Sequence, residues 1–140
     1  MKNILIISAV VLVLLVGSSW FARSNSGSSS GGTVISTNGF HWHPKLELYV
    51  HGEPVAIPQN IGLSGTHSPI HTHDDLPLIH MEFSGRVTED ETRLGVFFSH
   101  WGRDMRSFGD TMIMKVNGVE NTEYENYHMK DGDVIQLYYE

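Results

Sequence analysis

Thr88-Glu89-Asp90-Glu91-Thr92-Arg93-Leu94-Gly95-Val96-Phe97-Phe98-Ser99-His100-Trp101-Gly102 sets the fold class, because it is the clearest helix in a chain of short strands. Thr88 and Glu91 have capping-box spacing, each able to satisfy a free backbone N–H of the first turn. Leu94, Phe97, Phe98 and Trp101 then fall at i, i+3, i+4 and i+7, which makes one apolar stripe on a helix starting at Thr88. Gly102 is well placed to end it. Upstream, Lys45 to Val50 alternates polar and apolar, with Leu46, Leu48 and Val50 on one face, and reads as a strand. His51-Gly52-Glu53 is a turn and Pro54 to Pro58 a short returning strand. Asn60 to Pro69 is rich in Gly, Ser and Thr and reads as a loop. Leu78 to Phe83 is extended, with Leu78, His80 and Glu82 on one side and Ile79, Met81 and Phe83 on the other. Downstream, Thr111 to Val116 is a strand, Asn117-Gly118 a hairpin turn, and Val134 to Tyr139 a final strand introduced by Asp131-Gly132-Asp133. Two hairpin-like halves around one helix predict an α+β fold: a small mixed β-sheet with one helix packed on a face.

Before this domain the chain changes character. Lys2 and the amino terminus supply a short positive region, and Ile4 to Val16 is an unbroken apolar run that Trp20 and Phe21 extend. The run is close to the roughly 17–25 residues that span a bilayer core. It also has the layout of a signal peptide, with Gly17-Ser18-Ser19 as a small-residue cleavage site. Trp20 and Phe21 read as an interfacial aromatic pair, which favours an uncleaved anchor. Residues 1–22 are thus expected to be a transmembrane helix and 23–33 a Ser/Gly-rich tether. Residues 34–140 form an extracytoplasmic domain, of a single-pass membrane protein or, if the segment is cleaved, of a secreted one. No cysteine follows the apolar run, which rules out a bacterial lipoprotein.

Charge and cysteine content narrow the function. Lys2 and Arg23 aside, seven Lys and Arg face sixteen Asp and Glu, so the domain is acidic. Nucleic acid needs the opposite sign, whereas metal cations suit this field. With no cysteine in the chain, thiolate metal sites and cysteine nucleophiles are excluded.

All nine histidines lie in the domain, and their spacing is more informative than their number. His41-Trp42-His43 and His71-Thr72-His73 are two His-x-His pairs, and His80 with Glu82 repeats the interval. Residues i and i+2 of a strand project to one face, ~6–7 Å apart, so two imidazoles can converge on one ion. Asp74 and Asp75 follow the second pair as ligands, or as acceptors that fix the tautomer of a coordinating imidazole. Neutral imidazole suits zinc, copper, nickel and iron, while calcium and magnesium want oxygen. Without thiolate, affinity order places copper(II) above zinc. An exported domain also meets copper without cytosolic competition. The expected metal ligands are therefore His41, His43, His71, His73 and His80, with copper ahead of zinc. His51, His67, His100 and His128 read as surface or hydrogen-bonded residues.

Three resemblances bear on this reading. His41-Trp42-His43-Pro44, Pro69-Ile70-His71-Thr72-His73-Asp74, Ile79-His80-Met81-Glu82 and Leu94-Gly95-Val96-Phe97-Phe98 with Trp101-Gly102 resemble an uncharacterised family of exported bacterial and archaeal domains. That resemblance covers most of residues 39 to 102. It implies no activity, and it supports treating the five histidines as one set. Met129-Lys130-Asp131-Gly132-Asp133-Val134-Ile135 resembles the last strand of ubiquitin-like β-grasp proteins, especially the small sulfur carriers, and implies a β-grasp-like sheet. The carriers end in an activated Gly-Gly, whereas this chain ends Tyr138-Tyr139-Glu140, so their activity is not implied. Gly65 followed by His71 and His73 is similar to the first cupin metal motif, but Pro77 and Leu78 stand where cupins place a glutamate.

A binding module that captures, buffers or delivers a transition metal is the leading expectation. The competing one is a metal-dependent enzyme, cupin-like or other, with Glu82 or Asp74 as its base. No His-Glu-x-x-His helix, nucleophile elbow or phosphate-binding glycine loop accompanies the histidines. A third reading is a structural domain of a membrane assembly with an unknown membrane-protein partner.

Overall fold

Alternation of side chains about the last strand organises the main sheet. The computed structural model describes residues 32–140, which form one compact unit. The apolar segment and most of the Ser/Gly tether lie outside the described residues; among residues 32–140 no helix is long and apolar enough to cross a membrane. In chain order the strands are β1 (Val34–Ser36), β2 (Phe40–Trp42), β3 (Lys45–Val50), β4 (Glu53–Val55), β5 (Ile70–His71), β6 (His80–Phe83) and β7 (Val87–Thr88). The helix α1 (Leu94–Trp101) follows, then β8 (Met112–Val116), β9 (Val119–Glu120) and β10 (Val134–Tyr139).

The main sheet has the order β4-β3-β10-β8-β9. β10 runs parallel to β3, from Val134 opposite Lys45 to Tyr139 opposite Val50, and antiparallel to β8. The sheet is therefore mixed, and with one α-helix among the described residues the fold is α+β. Ile135, Leu137, Tyr139, Leu46, Leu48 and Met114 are all essentially inaccessible and form one face of the core. The other face carries Gln136 donating to Glu47 and Tyr49 stacked on Tyr138. Leu94, Phe97 and Phe98 bury the apolar stripe of α1 in the same core. Phe108 links the helix to the sheet, packing on Trp101, Phe98 and Tyr139.

Turn chemistry follows the residues. His51-Gly52 and Asn117-Gly118 both have positive φ at successive positions, the geometry of tight two-residue hairpins. Gly102 is left-handed and ends α1, its own N–H reaching Ser99 and that of Arg103 reaching Phe98.

The helix does not run from Thr88. Glu89–Thr92 is a 3-10 turn whose start is held by Glu91, accepting from both the N–H and the hydroxyl of Thr88. Arg93 is extended, and α1 begins only at Leu94. The backbone is diverted there by the segment 127–129: Leu94 donates to Tyr127, Met129 donates to Thr92, and Arg93 forms an isolated bridge with His128. Two long-range backbone bonds replace the helical ones that continuity would have made.

Beside the main sheet lie two smaller ones. β2, β6 and β5 form a three-stranded antiparallel sheet with β6 in the middle, and β1 pairs with β7. The sheets are joined where Leu46 donates to Pro77 and Ile79 to Pro44. The small sheet is what positions the histidines.

Candidate metal centre

β6 divides its residues between two environments. Met81 is fully buried and Phe83 packs on Phe40, so His80 and Glu82 take the opposite face. β2 does the same: Phe40 and Trp42 stack at 3.8 Å between centroids, leaving His41 to the other side. Antiparallel pairing then sets His41 opposite Glu82 and His71 opposite His80. His43 lies one residue beyond β2 and His73 two residues beyond β5, each two residues from its partner and with its ring beside that partner's.

All five expected histidines are thereby brought together, with His80 at the hub. Its ring centroid lies 4.9 Å from His43, 4.8 Å from His73, 5.5 Å from His71 and 6.3 Å from His41. Within the pairs, the separations are 4.6 Å for His41 and His43 and 4.8 Å for His71 and His73. Among the described residues the ligand nitrogens form two sets, His41/His43/His80 and His71/His73/His80, each within 4.8 Å of one another.

Acceptors around the cluster fix which nitrogen faces it. Asp75 brackets His80 Nε2 at 3.0 and 3.1 Å, and a carboxylate can only accept, so Nε2 carries the proton. That hydrogen bond holds the Asp75 carboxyl below its ordinary value. The remaining lone pair, on Nδ1, is buried and has no hydrogen-bond partner among the described residues. His71 is the mirror case: its Nδ1 donates to the Ser68 carbonyl at 3.0 Å, leaving Nε2 as the basic nitrogen. Burial pushes the His71 imidazole below its ordinary value, against the opposing pull of the Ser68 carbonyl. Glu82 Oε1 lies 2.9 Å from His41 Nε2 and 4.0 Å from His80 Nδ1.

The two pairs are held by residues that spacing does not single out. Thr72, fully buried between His71 and His73, donates to Pro58 and accepts from the Ile61 N–H. The His43 N–H donates to Asp131 at 2.8 Å, tying the first pair to the turn before β10. Gly39 is left-handed, and a Cβ there would collide with the Phe83 carbonyl, so glycine is required where β2 meets β6. Of the two candidate acids after the second pair, Asp75 supplies the acceptor and Asp74 is exposed. The nearest sequence signal was the glycine; nothing in the order of residues connects Thr72 to Pro58.

The other histidines have separate surroundings. His51 faces Glu140, His128 Nδ1 faces the Glu89 carbonyl at 2.6 Å, and His100 Nε2 faces Ser68 Oγ at 2.8 Å. His67 and His100 line a distinct cavity of about 560 Å³.

No family model, curated protein or solved structure matches this chain.

Proposed function

We propose that the domain is a transition-metal-binding module that captures an ion on His41, His43, His71, His73 and His80 for buffering or delivery. One observation carries this: a buried His80 Nδ1 without a hydrogen-bond partner among the described residues, at the hub of five imidazoles, with its opposite nitrogen held by Asp75. A buried unpaired polar atom is costly, and a lone pair aimed among imidazoles is repaid by a metal ion. The carboxylate behind a coordinating imidazole is the usual supporting arrangement. An all-nitrogen donor set favours copper(II), then zinc.

An enzymatic reading would draw on Glu82 as a base. Its carboxylate lies 2.9 Å from His41 Nε2 and 4.0 Å from His80 Nδ1, placed to support or join an ion rather than to act as a free base, so a binding role is the better supported.

Two further parts belong to this proposal. The main sheet is a β-grasp-like core, supported by its first and last strands pairing in parallel at the centre, with the helix in the connection between its halves. Residues 1–22 anchor the chain in a membrane and place the domain outside the cytoplasm, where a membrane-protein partner would receive or supply the ion.

The test is metal content by mass spectrometry of the full chain, purified without a histidine tag after exposure to equal copper and zinc. About one tightly held ion is expected, copper in excess of zinc, and it should be absent from His80→Gln. Wild-type protein that retains no ion would sink the proposal.

A further inference from the structure

The five imidazoles do not converge on one point. Their ligand nitrogens fall into two sets of three, and His80 belongs to both. The Nε2 of His80 is engaged by Asp75, so only its Nδ1 lone pair is available. One lone pair serves one ion, and two dications at adjacent positions would also repel strongly in a partly buried site. We propose, building on the metal-binding reading above, that the cluster holds two mutually exclusive positions. A single ion occupies either, and passes between them while His80 remains bound.

The two positions differ in chemistry. The first, His41/His43/His80, has Glu82 beside it, 2.9 Å from His41 Nε2 and 4.0 Å from His80 Nδ1. Small movements of that carboxylate complete a closed set of three imidazoles and one oxygen, the four-coordinate pattern of a holding site. The second, His71/His73/His80, has a different wall: His71 is buried with its tautomer fixed by Ser68, and Asp75 stands behind His80 rather than beside the free nitrogen. Three imidazoles leave the fourth place to an incoming ligand. Its chemistry suits a donor side chain from a partner that takes or gives the ion. Exchange of two imidazoles around a retained His80 moves the ion without releasing it to solvent.

Copper(II) titration of the full chain, followed by electron paramagnetic resonance and mass spectrometry, separates the possibilities. Wild type should bind one ion per chain with a composite spectrum. The His41→Asn/His43→Asn and His71→Asn/His73→Asn variants should each still bind one ion, each giving one component of that composite. His80→Gln should weaken binding by more than the ~10–100-fold that loss of an outer partner costs.

Because a double variant can misfold, zinc-loaded wild type supplies an independent reading by NMR of the imidazoles. His41 and His43 signals should exchange between free and bound in opposition to those of His71 and His73. Two ions per wild-type chain, or all five imidazoles fully bound together, would overturn the two-position scheme while leaving metal binding intact. So would complete loss of binding in one folded double variant alone. No ion in wild type would remove both.

Discussion

In the proposed metal site, a carboxylate outside the ligand set would still govern how tightly an ion is held. Asp75 fixes His80 Nε2 as a donor and so leaves Nδ1 basic. Asp75→Asn offers an amide that can bond the ring in either sense, and it removes the negative charge that raises ligand basicity. Metal affinity should fall by about 10–100-fold, measured by competition with a chelator of known strength. His71 sets a second dependence. Its folded value lies below the ordinary 6.5 because burial opposes charging. The unfolded chain therefore binds more protons in this window, and metal-free protein should lose stability as pH falls from 6.5 through the depressed value. Metal occupancy should fall below about pH 6 as protons compete for the imidazoles. Thermal melts of the metal-free chain and of His71→Asn check the first effect: the variant should have the shallower slope. Occupancy unchanged in acid would contradict the second.

At the scale of elements, buried side-chain hydrogen bonds hold segments that their own sequence leaves loose. Thr72 joins the His71/His73 segment to residues 58–61 through two hydrogen bonds. Thr72→Val keeps the shape but strands the Ile61 N–H, so a loss of about 1–3 kcal/mol is expected. Denaturant melts would read that loss, and metal affinity should drop in parallel because the second pair is no longer fixed. Tyr127 works similarly before β10, donating at 2.7 Å to buried Asp133, which also accepts from Asn117 and the Lys130 N–H. Tyr127→Phe should cost about 1.5–3 kcal/mol, the range for a hydrogen bond to a charged group, with metal affinity unchanged. The interrupted helix belongs to the same scale. Thr88 and Glu91 gave a correct start signal, but for a 3-10 turn, since the spacing of a cap says nothing about how long the element lasts. Arg93 left the helix for a bridge to His128, thirty-five positions later, a partner no local pattern names.

Across the whole molecule, two buried phenols make the fold sensitive to alkali. Burial raises both Tyr127 and Tyr139 above the ordinary 10, with Asp133 adding to the first. The folded chain thus keeps protons that the unfolded chain has lost. Stability is full below pH 10 and should fall as pH rises beyond it. Thermal melts above pH 10 should show a steep decline, and Tyr127→Phe should reduce the slope.

Local chemistry made much of this legible in the sequence. Two-residue intervals put His41 with His43 and His71 with His73, because strand alternation is a property of the chain itself. The turns at His51-Gly52 and Asn117-Gly118 and the stop at Gly102 were equally local, set by backbone freedom at positive φ. Six strands of only two or three residues, β1, β2, β4, β5, β7 and β9, were too short to show any period. Only the tertiary structure decided that β10 lies parallel to β3, and that β6 runs between β2 and β5 to carry His80 between the two pairs. Strand register depends on hydrogen bonds between segments far apart in the chain, so spacing can supply the imidazoles but cannot choose which of them becomes the hub.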